Sequence, residues 1–262
     1  MLPVCWMAWP RPQCFAHLGK FGDLMIMMPA FKAIFDATAV KPVCIVAKEF
    51  SSILEGASYV TAISAALNWW ADLFKARAMA EARWGHCIVP KWWDEPNAKA
   101  PDTNLNADPA NAGWNQSYQT SQWCYSGFTM QQFREWPLVF DRRDAQREAQ
   151  LRQTWFKTSK PKLLLSLNAG GTSPFAYIKL VREESEKTGF EVVDLQQVRA
   201  HRIYDLLGLY DHAAGLVTSD TATLHLAGAS PVPYVAFINN EGRGSIPKGN
   251  CVLSVRYAKV AE

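Results

Sequence analysis

The segment 216–229, LVTSDTATLHLAGA, holds residues well suited to bind a polar ligand. Its pattern predicts a buried strand, a turn and a small-residue helix with Ser219 or Asp220 as the N-cap. The first turn of a helix presents unpaired N–H groups, so a phosphate or a sugar hydroxyl is the natural ligand there. Ser219, Asp220 and Thr221 fall at that end, and His225 follows one turn later. The alternative is that Asp220 only caps the helix and that His225 is a packed, hydrogen-bonded histidine.

A second candidate lies near the amino terminus, where a short strand over 12–17 is followed by the glycine-containing loop 18–23, LGKFGD. Apolar residues after this loop recur at helical spacing, which predicts a helix bent at Pro29. Gly22 allows a ligand to approach the backbone closely, and Asp23 supplies a carboxylate beside it. The alternative is that Asp23 only caps the helix within a glycine turn.

Both stretches resemble one family. Residues 219–229, Ser-Asp-Thr-Ala-x-x-His-Leu-Ala-x-Ala, resemble the Asp-Thr-Gly-x-x-His-Leu-Ala-x-Ala signature of heptosyltransferase-like glycosyltransferases, which bind the nucleotide-sugar at this helix. Residues 18–24, followed by Pro29 and an apolar helix, resemble the Gly-Asp loop of the same family. The resemblance implies that Asp23 is the general base, which takes the proton of the acceptor hydroxyl as that hydroxyl attacks the anomeric carbon. One departure is Ala222, where the family has glycine.

A third stretch resembles the family only in part. The strand predicted over 162–167 opens into the loop 168–173, whose Gly170, Gly171 and Thr172 suit a phosphate of the donor. Family members follow this loop with a lysine that helps to neutralise the donor's phosphates, and this chain lacks that lysine. The sequence leaves several cations open as substitutes: Lys179, Arg202, Arg243 and Lys248.

Strands and helices alternate in both halves of the chain, which predicts parallel sheets. A charged stretch after residue 140 indicates a change of domain. The predicted fold class is α/β, with two Rossmann-like domains of the GT-B type that the resemblance implies, and a cleft between them. The domain 1–145 would bind the acceptor and the domain 146–262 the nucleotide-sugar. Ligands of such sheets bind at the carboxyl ends of strands, where Gly22, Gly170 and Asp220 fall.

Tryptophan is concentrated in the middle of the chain, where the region 69–136 holds eight of the eleven tryptophans. Within it, the segment 91–136 contains a long stretch without periodicity, which predicts a loop. Exposed tryptophans stack on sugar rings or bases, so this loop is the candidate acceptor surface. The candidate acceptor-binding residues are Gly22, Trp92, Trp93, Trp114 and Trp123. The alternative is that most of these rings pack the loop onto its own domain.

The composition is that of a globular protein, with 49% hydrophobic and 19% charged residues and no apolar run long enough to span a bilayer. The beginning of the chain has no signal-peptide pattern, and the six cysteines lack metal-type spacing. We therefore expect reduced thiols in a cytoplasmic protein without membrane insertion. The net charge of +3 leaves an anionic donor or acceptor unopposed.

The resemblance and the residues together predict an inverting glycosyltransferase that uses a nucleotide-sugar donor and no cofactor. No Asp-x-Asp motif or His/Cys cluster indicates a metal, so basic side chains and helix dipoles would stabilise the leaving group. The acceptor is a bacterial surface saccharide, as the resemblance implies, or a hydroxymethylated base in phage DNA. The alternatives are a nucleotide-sugar epimerase and a non-catalytic nucleotide-sugar-binding protein.

Overall fold

The computed structural model describes residues 12–68, 72–90, 119, 122–123, 126–167, 175–239 and 247–257. The chain divides into two compact units, Met1–Arg142 and Arg143–Glu262. Each unit contains one parallel sheet, of three strands in the first unit and five in the second. The predicted α/β class with two parallel sheets is therefore confirmed.

The first unit has the strand order β1-β2-β3. Its strands are β1 (Cys14–Ala16), β2 (Val43–Ala47) and β3 (Thr61–Ala65), and its described helices are α1 (Phe21–Thr38), α2 (Leu73–Trp84) and α3 (Met130–Glu135), with a 3-10 helix at Lys48–Gly56. The apolar segment 86–90 forms one parallel bridge, between Ile88 and Phe15, on the side of β1 that faces away from β2.

The centre of the first unit is apolar because both faces of β1 and β2 are covered. Every residue of β1 and β2 is buried, which is typical of parallel strands between two layers. The helix α1 is buried without interruption from Leu24 to Phe31, so it is a core helix and not a surface helix. This burial holds the start of α1, and with it Asp23, at the carboxyl end of β1.

The second unit has the strand order β5-β4-β6-β7-β8. Its strands are β4 (Lys162–Ser166), β5 (Glu191–Asp194), β6 (Gly215–Ser219), β7 (Tyr234–Asn239) and β8 (Cys251–Tyr257). Its described helices are α4 (Ala145–Trp155), α5 (Phe175–Lys187), α6 (Leu207–Tyr210) and α7 (Ala222–Leu226), with 3-10 helices at Ile203–Leu206 and Ala227–Ala229. In this doubly wound order the chain leaves β4 and β6 in opposite directions, so a ligand-binding crevice is expected between their carboxyl ends.

The α-helix after β6 is shorter than the helix that the sequence pattern predicts over 221–229. It begins at Ala222 and ends at Leu226, and a 3-10 turn continues to Ala229. Its N-cap is Thr221, in extended backbone conformation with φ −139°. The predicted caps, Ser219 and Asp220, are therefore wrong, because Ser219 still belongs to the strand and pairs with Phe237.

An ion pair between a buried lysine and a half-buried glutamate joins the first two strands of the second unit. Lys162 on β4 is 5% exposed, and its Nζ lies 2.7 Å from Oε2 of Glu191 on β5. Burial alone would raise the pKa of the Glu191 carboxyl. Hydrogen bonds from Lys162, Thr158 and the backbone N–H groups of Lys157 and Thr158 outweigh burial and lower this pKa from 4.5 to about 2.

The lowered pKa predicts a pH-dependent contribution to stability. The folded state holds the Glu191 proton less tightly than the unfolded state, so the contribution is present above pH 4.5 and is lost as the pH falls toward 2. Glu191→Gln should therefore melt at a lower temperature than the parent at pH 7, and this difference should shrink below pH 4.5. Thermal melts followed by circular dichroism measure it.

Glu183→Gln is the matched control, because the Glu183 side chain is 50% exposed and lies 3.7 Å from Lys179. A pH-independent difference between Glu191→Gln and the parent would contradict the proposed ionic contribution.

Candidate functional site

Hydroxyl groups gather at the carboxyl ends of β4 and β6. Thr223 Oγ1 donates to Ser166 Oγ at 2.8 Å, and lies 3.0 Å from Thr218 Oγ1 and 2.5 Å from Thr221 Oγ1. We call these four residues the hydroxyl cluster. Ser166 and Thr218 are buried, whereas Thr221 and Thr223 are half-buried. The cluster therefore lies where the doubly wound strand order predicts a ligand-binding crevice.

Ser219 does not contribute to this exposed edge. It has no exposed surface, and its Oγ donates to the carbonyl oxygen of Ser166 at 3.3 Å. The hydroxyl therefore joins two neighbouring strands. This corrects the prediction of Ser219 as a donor-binding residue, because a buried hydroxyl that bonds the next strand is not presented to a ligand.

Asp220, Thr221 and His225 surround the start of α7. Asp220 and Thr221 are half-buried and directly follow β6, so they lie at the predicted edge of the sheet. His225 lies within α7 and is 8% exposed. Their contact with a donor stays a prediction.

Thr223 is the residue that the sequence analysis missed. Its hydroxyl contacts three others, so it holds the end of β4 against the turn after β6. A signal was present, since 218–223 contains four hydroxyl residues around Asp220. The apolar strand 162–166 also ends in a polar residue, Ser166, which is typical of a strand that ends at a site.

Among the candidate cations for the donor's phosphates, Lys248 lies far from the hydroxyl cluster. Lys248 packs against Gly228, since a Cβ added to that glycine would lie 3.3 Å from Lys248 Cβ. The carbonyl oxygen of Lys248 accepts a hydrogen bond from Tyr234 Oη. Tyr234 is the first residue of β7, so Lys248 lies at the amino end of a strand whose six residues span about 20 Å. The hydroxyl cluster lies at the opposite edge. Burial lowers the pKa of Lys248 to about 8.

The other candidates differ in exposure. The Lys179 side chain is 87% exposed and lies 3.7 Å from Glu183. Arg202 follows β5, and its backbone N–H donates to Asp205 at 3.0 Å. Arg243 lies outside the described residues. The same holds for several predicted site residues: Gly170, Gly171, Thr172, Trp92, Trp93 and Trp114.

In the first unit, Asp23 lies in the first turn of α1, after the loop that follows β1. The N-cap of the helix is Lys20, and its backbone N–H donates to Asp23 Oδ2 at 2.7 Å. The Lys20 side chain contains no hydrogen-bond acceptor, so it cannot accept a bond from the Asp23 N–H in return. Asp23 is half-buried and Gly22 is buried. A carboxylate offers about four lone-pair sites, and the bond from Lys20 occupies one of them.

Gly19 is required by close approach and not by its backbone angles. A Cβ at this position would lie 2.4 Å from Asp23 Cβ, 2.7 Å from Asp23 Oδ2 and 2.8 Å from His17 Cε1. No side chain fits there without moving the carboxylate or the imidazole. The backbone of Gly19 therefore packs directly between these two side chains.

His17 is a second residue that the sequence analysis missed. It is fully buried, its Nδ1 accepts a hydrogen bond from the Gly19 N–H at 3.2 Å, and its Nε2 lies 3.1 Å from Gln122 Oε1. An acceptor at Nδ1 assigns the proton to Nε2, which donates to Gln122. Burial lowers the pKa of His17, and the carboxylate of Asp23 opposes this shift.

Trp123 is a packing residue. It is fully buried, its Nε1–H donates to the carbonyl of Ile26 at 2.9 Å, and its ring packs against Phe128, Phe133 and Trp136. The prediction of Trp123 as an acceptor-binding residue is therefore corrected. A ring enclosed by other aromatic rings offers no face for stacking on a sugar or a base.

Within the described part of the chain, no group of three or more His, Cys, Asp or Glu side chains is arranged to hold a metal ion. None of the described helices is both long and apolar enough to cross a membrane. Cys14, Cys44, Cys87 and Cys251 are free thiols, and burial raises the pKa of Cys14 to about 12.

No family model matches the sequence, and no curated protein matches it. Solved structures do match. The glycosyl transferase family 9 protein from Veillonella parvula DSM 2008 has a TM-score of 0.59 at 10% identity, over 95% of this chain and 86% of that one. The E. coli ADP-heptose LPS heptosyltransferase II has a TM-score of 0.55 at 12% identity, over 94% of this chain and 89% of that one. The E. coli heptosyltransferase WaaC, solved with ADP, has a TM-score of 0.55 at 11% identity, over 94% and 93%.

At these identities the similarity establishes the fold. The two parallel α/β sheets of this chain are those of a GT-B-like glycosyltransferase fold.

The hydroxyl cluster should contribute to stability through Thr223. Thr223→Val keeps the shape but removes the hydroxyl that donates to the buried Ser166. We expect the free energy of unfolding to fall by about 1–3 kcal/mol, the cost of an unsatisfied buried polar group. Thr223→Ser keeps the hydroxyl and should lose less, and urea denaturation compares the two. A Thr223→Val protein as stable as the parent would contradict a stabilising cluster.

Proposed function

We propose that this chain is an inverting GT-B glycosyltransferase, which moves a sugar from a nucleotide-sugar to an acceptor hydroxyl without a metal ion or bound cofactor. The first unit would supply the catalytic base, and the second unit would bind the donor. One observation carries the proposal: both candidate sites lie at the carboxyl ends of parallel strands, in a chain with the fold of heptosyltransferases. Ligands of open parallel sheets bind at these ends.

Asp23 is the proposed general base. Its carboxylate takes the proton of the acceptor hydroxyl while the oxygen attacks the anomeric carbon. The bond between that carbon and the diphosphate breaks in the same step, and the nucleoside diphosphate leaves with the electron pair. A single displacement of this kind inverts the anomeric centre. The support for Asp23 is its half-buried carboxylate, held by the Lys20 N–H in the loop that resembles the family's Gly-Asp loop.

The donor would bind at the hydroxyl cluster, with Asp220 and Thr221 as its first contacts. The predicted contacts His225, Gly170, Gly171 and Thr172 remain part of this proposal. The WaaC structure contains ADP, and heptosyltransferase II is named for ADP-heptose, so an ADP-linked heptose is the first donor to test.

Basic side chains would stabilise the charge of the leaving diphosphate, since the sequence contains no Asp-x-Asp motif. Lys248 is removed from the candidates by its position at the amino end of β7. Lys179, Arg202 and Arg243 remain.

The test is a screen of nucleotide-sugars, ADP-heptose first, against lipopolysaccharide and hydroxymethylated DNA, with the product identified by mass. Transfer to either acceptor supports the proposal and identifies the acceptor. Conversion of the donor without an acceptor indicates an epimerase. Donor binding without any turnover indicates a binding protein, and both results contradict the proposal.

Asp23→Asn should separate catalysis from folding. The amide keeps the size and can still accept the Lys20 N–H, but it cannot take a proton. We expect normal folding, near-normal donor affinity and a turnover lower by roughly 10²–10⁴-fold, the usual contribution of general acid–base catalysis. Rapid-quench assays of sugar transfer measure this loss.

The control is Asp36→Asn, which removes the same charge at the other end of α1. Asp36 is exposed and lies 2.8 Å from Lys32, so its loss should leave turnover unchanged. Parent-like transfer by a folded Asp23→Asn protein would mean that another group is the base.

Asp220→Ala should weaken donor binding without unfolding the protein. Thr221, and not Asp220, is the N-cap of α7, so no cap is lost. We expect a higher dissociation constant for ADP-heptose by isothermal titration calorimetry and little change in melting temperature. Asp220→Asn, which keeps the shape, tells whether the charge is needed. Unchanged donor affinity in both variants would remove Asp220 from the site.

A further inference from the structure

The His17 ring is fixed from both of its nitrogens. His17 directly follows β1, has no exposed surface, and its backbone N–H donates to the Ile45 carbonyl at 2.9 Å. Nδ1 accepts from the Gly19 N–H at 3.2 Å, and Nε2–H donates to Gln122 Oε1 at 3.1 Å. The sheet holds the backbone of this residue, while the two side-chain bonds hold the plane of the ring.

Gly19 couples the position of the His17 ring to that of the Asp23 carboxylate, because it contacts both side chains. Its backbone lies between the imidazole and the carboxylate so closely that a Cβ would be 2.8 Å from His17 Cε1 and 2.4 Å from Asp23 Cβ. The next residue, Lys20, donates its N–H to Asp23 Oδ2 at 2.7 Å. A displacement of the ring therefore displaces the backbone that supports the carboxylate.

We propose that His17 is a positioning residue that holds the loop 19–23 in the geometry required for proton transfer at Asp23. This proposal rests on the function proposed above for Asp23. His17 itself does not touch the substrate; it acts through the Gly19 N–H.

The neutral form of His17 is the one that can do this. A protonated imidazole has two donors and no acceptor, so it would lose the bond from Gly19. Burial lowers the pKa of His17, so the ring remains neutral at neutral pH. Nδ1 then keeps the lone pair that the Gly19 N–H needs.

Two substitutions separate this role from packing. His17→Asn puts an amide oxygen at the position of Nδ1 and can still accept from Gly19, although it removes more volume. His17→Gln fills more of the space but carries its polar atoms at the position of Nε2, toward Gln122. Positioning predicts that His17→Gln is the more damaging change for turnover. Packing alone predicts the reverse order, because the larger cavity costs more.

We expect His17→Gln to lower kcat by up to about 10²-fold, the effect of a misplaced catalytic group, with the donor KM nearly unchanged. His17→Asn should stay within a few-fold of the parent. The assay uses ADP-heptose with whichever acceptor, lipopolysaccharide or hydroxymethylated DNA, supports transfer. Equal losses in the two variants, or a larger loss in His17→Asn, overturn the proposal.

A double-mutant cycle tests whether His17 acts through Asp23. In the Asp23→Asn background, His17→Gln should cause no further loss of kcat, because the group that it positions is already absent. A multiplicative loss in the double variant would mean that His17 acts by another route and overturns the proposal.

Amide hydrogen exchange at Gly19 provides a readout that does not depend on activity. The Gly19 amide should exchange slowly in the parent and in His17→Asn, and faster in His17→Gln. Equal exchange in His17→Gln and the parent overturns the proposal whatever the activity. If the exchange pattern holds but Asp23→Asn turns over like the parent, the proposed base is wrong while the support of the loop by His17 stands.

His86 is the matched control histidine. It is half-buried, and its Nε2 accepts from the Cys14 N–H at 3.4 Å, at the amino end of β1. His86→Asn removes the polar atom from the position of Nε2, so it should lower the melting temperature without changing kcat per folded molecule. A fall in kcat as large as that of His17→Gln would indicate a general effect of disturbing β1, and would overturn the specific role of His17.

Discussion

The parallel pairing of β4 with β6 is the constraint on which the candidate donor site depends. Its register sets Ser166, the last residue of β4, opposite Thr218, the next-to-last residue of β6. Only this alignment lets Thr223, on the helix that follows β6, reach back to Ser166. A slip of one residue would turn the side chains of one strand to the other face and separate these hydroxyls. The apolar residues upstream in both strands fix the register, so the core of the sheet determines the geometry of its polar edge.

In the first unit, the candidate site around Asp23 is positioned by close packing and not by strand register. Its candidate site is held by close approach, because the absence of a side chain at Gly19 lets the backbone fit between His17 and Asp23. The Trp123 indole also holds α1, through its hydrogen bond to the Ile26 carbonyl. Trp123 of the tryptophan-rich region thus helps to hold α1, the helix that carries Asp23.

The elements that carry the sites were predictable from the sequence because they are encoded locally. Apolar runs gave the strands, and a glycine-containing loop before an apolar helix gave the position of Asp23. The partners of the sites were not predictable, since Gln122 lies 105 residues from His17 and Thr223 lies 57 from Ser166. Trp123 was misassigned for the same reason, as its partner Ile26 is 97 residues away. The helix after β6 was predicted too long mainly at its carboxyl end, where Ala227–Ala229 form a 3-10 turn that propensity does not distinguish from α-helix.

The hydroxyl cluster has fewer hydrogens than lone pairs, and this imbalance determines what it can recognise. Each hydroxyl carries one hydrogen. The Thr223 hydroxyl donates to Ser166 Oγ. The hydroxyls of Thr218 and Thr221 each have two possible acceptors, Thr223 Oγ1 and the Ser219 carbonyl. An incoming group that brings a hydrogen of its own, such as a ribose or sugar hydroxyl, adds a bond without breaking one. In the proposed function, this edge of the sheet would therefore accept hydrogen bonds from the ribose and sugar hydroxyls of the donor.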